Sequence, residues 1–138
     1  MKVTNSMIHK DIRLIGSVLR HFTKGTTAES LRKSQVDTEK KVNKYRAKQS
    51  NMEKIHLKRD DGSEQRMVIL KPKHPYERVP AVLFLHGGGY AMGCPEQKIG
   101  FMERIMSFSD CVMFAPTYTL SVHKPYPAAL EDAYRALL

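Results

Sequence analysis

Residues 51–138 predict an α/β fold, with a β-hairpin leading into a parallel sheet flanked by helices, and residues 1–50 predict helical segments ahead of it. Three observations carry this. Ile55 and Leu57 alternate with Lys54, His56 and Lys58, and Asp60-Asp61-Gly62 then gives a hairpin signal before "QRMVILKP". The stretches "AVLFL" (81–85) and "CVMFAPTY" (111–118) are continuous apolar runs, the pattern of strands covered on both faces. Each run is followed by a segment with helical spacing, and strand, helix, strand, helix after a hairpin is the order of a growing parallel sheet.

Taken in order, the elements begin with Ile8, Ile12, Ile15, Leu19 and Phe22, whose spacing of three and four predicts an amphipathic helix. "KGTTAES" breaks that pattern. Thr27 and Ser30 then offer capping chemistry to a second, polar helix whose apolar positions are sparse. Both helices read as a helical cap or N-terminal arm over residues 1–50. The hairpin leads through "KHPYERVP", a proline-bounded loop, into "AVLFL". Ile99, Met102, Ile105 and Met106 mark the next helix, with Pro95 placed to open it. A last helix starts at Pro127 and sets Leu130, Tyr134 and Leu137 on one face.

The 138 residues are 41% hydrophobic, which suits one soluble globular core. The formal charge of +9 is lopsided, with +10 in residues 1–59 and −1 in residues 60–138. Such an arm could touch nucleic acid or an anionic membrane. No aromatic residues interleave with the lysines as base-stacking platforms, so the reading is a solvated helix face and no nucleic-acid partner is expected. No run reaches transmembrane length, so no stable membrane insertion is expected. Lys10, Asp11, Arg13 and Arg20 interrupt any signal-peptide core. Cys94 and Cys111 lack CxxC or His-rich spacing, so neither a metal site nor a disulfide framework is expected, and a cytoplasmic setting fits best.

The chemistry centres on "VLFLHGGGYAMG", residues 82–93. Three consecutive glycines lose much backbone entropy on ordering, so the bare backbone serves a purpose. A turn needing positive φ, a loop whose N–H groups approach a ligand oxygen, and a flexible linker are the options. The apolar flanks disfavour the linker. A phosphate loop would need Gly-Lys-Ser/Thr, which is absent. A dinucleotide fingerprint finds its first two glycines in Gly87 and Gly89 but meets Met92 at the third position. An oxyanion hole remains, in which consecutive N–H groups face the charge that grows on a carbonyl oxygen during acyl transfer.

"HGGGY" (86–90) at a strand end, Tyr118 thirty-two positions after His86, and "PYPAALEDAYRAL" (125–137) in that order resemble the hormone-sensitive-lipase-like branch of the α/β-hydrolases. The resemblance covers about residues 79–138. It implies that Gly88 and Gly89 are oxyanion donors within the motif that starts with His86 and Gly87. It further implies that His86 braces the loop and Tyr90 lines the entrance for a small-molecule ester. Where the family carries an arginine and a glutamate, this chain has Thr119 and His123, so an ion pair is expected to be lost or substituted.

No Gly-x-Ser-x-Gly occurs, and no serine sits between a strand and a helix with flanking glycines. A triad of His123 and Asp132 therefore lacks a nucleophile. The chain reads as the N-terminal part of a serine carboxylic-ester hydrolase for short to medium acyl groups, ending before the nucleophile strand, inactive alone and needing no cofactor. Its unpaired sheet edge invites self-association. The alternatives are a small-molecule binding module or receptor of the same fold, and an inactive truncated product.

Overall fold

The computed structural model describes residues 4–23, 25–48, 50–73 and 78–138. Its elements are α1 (Arg13–Thr23), α2 (Ala28–Lys41), β1 (Ser50–Lys58), β2 (Glu64–Pro72), β3 (Ala81–Leu83), α3 (Ile99–Met106), β4 (Val112–Pro116) and α4 (Ala128–Leu137). Residues 74–77 of the expected proline-bounded loop lie outside the described residues.

The period-two segment folds as read, with β1 and β2 antiparallel from Ser50 opposite Pro72 to Lys58 opposite Glu64. Gly62 takes φ +82°, and the turn closes through Arg59 N–H donating to Ser63 O at 2.8 Å. The sheet has the order β1-β2-β4-β3. It is mixed rather than all parallel: β2 pairs antiparallel with β4, and the parallel pair is β3 with β4. Val68, Leu70, Met113 and Ala115 of the two central strands are fully buried, with Ile99, Met102 and Met106 of α3 against them. A turn of 3-10 helix from Pro95 to Lys98 starts α3, as the proline predicts. The carboxylate of Glu103, on α3, accepts from Lys48 N–H (2.8 Å) and from the Ser50 N–H and hydroxyl (2.9 Å each), which holds the start of β1.

One expectation needs correction. "AVLFL" is not covered on both faces: β3 is an edge strand, Ala81 and Leu85 are exposed, and Val82 and Leu83 are half-buried. The more deeply buried strands are β2 and β4, which have neighbours on either side. In α4, Leu130, Tyr134 and Leu137 share one face as read; that face is exposed, and Ala128 and Asp132 are the buried positions. The amphipathic helix α1 forms over the predicted stretch, after a 3-10 turn at Lys10–Ile12, yet Ile12, Ile15, Leu19 and Phe22 are exposed. Thr27 and Ser30 do form a capping box at the start of α2. No described helix is long and apolar enough to cross a membrane.

Candidate active site

His86 to Gly93 leave the end of the edge strand as a loop on a cleft of about 800 Å³. His86 anchors its start. The Tyr118 hydroxyl donates to His86 O at 2.6 Å, and the two rings stack 4.3 Å apart at 11°. Two positions that carry the family resemblance, 86 and 118, are therefore in contact. Burial lowers the imidazole pKa from its ordinary 6.5 against the opposing pull of the Gly87 carbonyl and Glu96, so the ring is neutral at pH 7. Its Nδ1 lies 3.1 Å from Gly87 O, which only accepts, so Nδ1 carries the proton. His86 is thus held at both its carbonyl and its ring.

The three glycines differ. Gly88 has φ +145°, and a Cβ there would overlap Met92 O and lie 2.8 Å from the Met92 carbonyl carbon. Its own carbonyl accepts from Ala91 N–H at 3.1 Å and Met92 N–H at 3.2 Å, which folds the loop back on itself. Gly89 has φ +60°, and Tyr90, with φ +58°, takes the same left-handed conformation without being glycine. Ser121 N–H donating to Tyr90 O at 2.7 Å helps hold it. Gly87 needs neither positive φ nor clearance, since a Cβ there meets nothing within 4 Å. Among the described residues, no acceptor receives the N–H of Gly88 or Gly89.

The cleft floor is this loop with Tyr118, and its wall is Leu85, Ala129 and Leu130. Lys124 is the one cation among the described lining residues, and no carboxylate is among them. Tyr90 lines the cleft and is two-thirds exposed. Ser121 also lines it, but no hydrogen bond joins its hydroxyl to a histidine among the described residues. The arrangement can receive a polarised carbonyl or an anionic oxygen on bare N–H groups beside an apolar wall.

Behind the loop, Asp132 is buried and fully engaged. Burial alone would raise its pKa, and the bonds from Arg59 and Thr119 outweigh that and lower it below 3.8. Arg59 donates to both carboxylate oxygens, at 2.7 and 3.0 Å, and Thr119 donates its N–H (2.8 Å) and hydroxyl (2.6 Å). The guanidinium on Asp132 thus comes from the hairpin, and Thr119 adds two further donors. Glu96, likewise buried, is held by Arg66 at 2.8 Å and Lys54 at 3.4 Å.

Sequence reasoning missed Arg59, Arg32 and Gln35. Arg32 Nε donates to Val122 O at 2.6 Å, and Gln35 bonds to Gly93. These links run between residues 58 to 90 positions apart, and no local pattern marks them.

A family model described as the alpha/beta hydrolase fold matches residues 82–138. The chain is 39% identical over 57 residues to Esterase LipI of Mycobacterium tuberculosis, a stretch that is 41% of this chain and 18% of that protein. It is 29% identical over 83 residues to AB hydrolase superfamily protein C1039.03 of Schizosaccharomyces pombe, covering 60% of this chain and 24% of that protein. Among solved structures it resembles EstE1, a thermophilic and thermostable carboxylesterase cloned from a metagenomic library, with TM-score 0.64 and 27% identity over 81% of this chain and 38% of that one. The hyperthermophilic esterase of the archaeon Pyrobaculum calidifontis gives TM-score 0.62 and 26% identity over 89% of this chain and 41% of that one. The matches therefore span about a fifth to a quarter of the curated relatives and about two fifths of the solved esterases.

Proposed function

We propose that this chain, whose residues 82–138 match the alpha/beta hydrolase fold model, belongs to the hormone-sensitive-lipase-like branch of that fold and supplies the oxyanion-hole loop and one wall of the substrate cleft of a serine carboxylic-ester hydrolase. The observation that carries this is the pair of N–H groups at Gly88 and Gly89, which no described acceptor uses, on a cleft whose described lining holds no carboxylate.

In this reading a serine oxygen attacks the ester carbonyl carbon, and the π pair moves onto the carbonyl oxygen. The two glycine N–H groups meet the resulting oxyanion, collapse of the tetrahedral intermediate expels the alcohol with the proton taken from the serine, and water then hydrolyses the acyl-serine to release the acid. The family's third donor follows the nucleophile. The sequence contains no Gly-x-Ser-x-Gly, so the serine, the acid and the catalytic histidine come from outside these 138 residues. His86 keeps the loop in place, Tyr90 borders the entrance, and residues 1–50 act as the helical cap. The apolar wall at Leu85, Ala129 and Leu130 suits a short to medium acyl group. No cofactor takes part.

Turnover of p-nitrophenyl butyrate tests the reading. The 138-residue chain is expected to leave the ester at the buffer rate. A product of the same gene that includes a Gly-x-Ser-x-Gly segment is expected to hydrolyse it and to be silenced by a serine-reactive phosphonate. Hydrolysis by the 138-residue chain that the phosphonate abolishes contradicts the assignment of the nucleophile. A complete product with no ester turnover contradicts the assignment of the activity.

A further inference from the structure

The helix α2 is polar along its length, yet one of its residues, Gln35, is 4% exposed. Its side-chain amide is paired with a backbone peptide group. Gln35 Nε2 donates to Gly93 O at 3.1 Å, and Gly93 N–H donates to Gln35 Oε1 at 2.9 Å. A second Nε2 bond to Glu39 Oε1 at 3.2 Å, one helical turn on, sets which end of the amide faces which group. The side chain thus grips Gly93 at two points, as a neighbouring strand would.

Gly93 closes the glycine loop and lies against its beginning. It has φ +100°, and a Cβ there would come within 2.9 Å of Gly87 O and 3.2 Å of His86 Nδ1. A shift of the Gly93 peptide is therefore felt directly by the carbonyl and the ring that start the loop. The same helix reaches the segment after Tyr118 independently, through Arg32 on Val122 O and Leu31 against Tyr118, Leu120 and Val122.

We infer that Gln35 is a positioning residue for the glycine loop: its two bonds to Gly93 fix the exit of the loop and so hold Gly88 and Gly89 in register with the cleft. The consequence for catalysis rests on the oxyanion reading above, while the positioning itself does not. Gln35 touches no reacting atom. It acts through Gly93, and it makes the orientation of α2 a determinant of loop geometry.

The test uses Gln35→Met, which keeps length and buried volume but removes both bonds, and Leu31→Ala, which weakens the packing of α2 while leaving the amide grip intact. In the 138-residue chain, the N–H signals of Gly87, Gly88 and Gly89 and their exchange rates are followed by NMR. Gln35→Met is expected to shift these signals and speed their exchange about tenfold or more, and Leu31→Ala to leave them near the parent while lowering the melting temperature at least as far. In the hydrolytically competent protein, Gln35→Met is expected to lower kcat about tenfold or more with KM within about twofold, since small misplacements of catalytic groups cost that much. Unchanged loop signals in Gln35→Met, or equal changes in both variants, overturn the inference whatever the turnover. Changed loop signals with normal kcat uphold the positioning and overturn the oxyanion reading instead.

Discussion

Replacing each of the three loop glycines by alanine separates shape from chemistry. At Gly88 the new Cβ overlaps Met92 O and lies 2.8 Å from the Met92 carbonyl carbon, both backbone atoms, and φ is +145°. Overpacking of this kind costs about 3 kcal/mol or more because the backbone itself must move. At about 3–4 °C per kcal/mol for a chain of this size, Gly88→Ala is expected to lower the melting temperature by about 10 °C. Gly89 has open space but φ +60°, so alanine there costs about 1–2 kcal/mol, or about 3–8 °C. Gly87 has open space and no positive φ, so Gly87→Ala is expected to melt with the parent. Differential scanning fluorimetry, checked by urea unfolding, reads all three. A Gly88→Ala chain that melts within about 2 °C of the parent, or a Gly87→Ala chain that falls as far as Gly88→Ala, refutes the assignment of the turn.

Removing Arg59 leaves the buried Asp132 carboxylate short of its bidentate partner, so Arg59→Met is expected to lose about 3–5 kcal/mol in urea unfolding. Thr119→Arg in that background is expected to recover part of the loss, and no loss in Arg59→Met would contradict the contribution of the Arg59–Asp132 pair. Stability is also expected to fall with acid. His86 has its pKa lowered by burial, so below pH 6.5 the unfolded chain takes up a proton that the folded chain refuses. Stability is therefore full above pH 6.5 and declines as pH drops. Asp132, also lowered, adds a second decline below pH 3.8 as its bonds are lost. The urea midpoint measured from pH 7.5 to 5 reads the first decline, and a flat profile there contradicts the buried neutral imidazole. The β3 edge, with Ala81 and Leu85 exposed, is expected to drive self-association of the 138-residue chain. Light scattering that finds a monodisperse monomer at tens of micromolar contradicts this.

The elements that follow from local pattern were legible. Period-two alternation and Asp-Asp-Gly set the hairpin, Thr27 and Ser30 set a cap, and Pro95 opened a helical turn, because each depends on residues within a few positions. The cover over a strand was not legible in the same way. An apolar run says that both faces can be buried, but what lies beside "AVLFL" depends on which strand follows in space. The same holds for the outward stripe Leu130, Tyr134 and Leu137. At the site, the glycines, His86 and Tyr118 were visible as motif positions, but the contact of His86 with Tyr118 was not. Tyr90 in the left-handed region was not, because nothing in its side chain announces it. Arg59 reaches Asp132 across 73 positions and Gln35 reaches Gly93 across 58, and each sits in sequence among other charged or polar residues that face solvent.

Exchanging the amide N–H of Gly88 or Gly89 for an ester oxygen, through an α-hydroxy acid at that position, removes the proposed donor without adding a Cβ. No described acceptor uses either N–H, so the fold has no bond to lose. In the hydrolytically competent protein, kcat for p-nitrophenyl butyrate measured on the two ester-backbone variants tests the oxyanion assignment most directly. Each replacement is expected to lower kcat by about a hundred- to a thousandfold, the cost of one such donor, with KM within about threefold and the melting temperature unchanged. Turnover within about threefold of the parent in both variants, with the proteins folded, contradicts it.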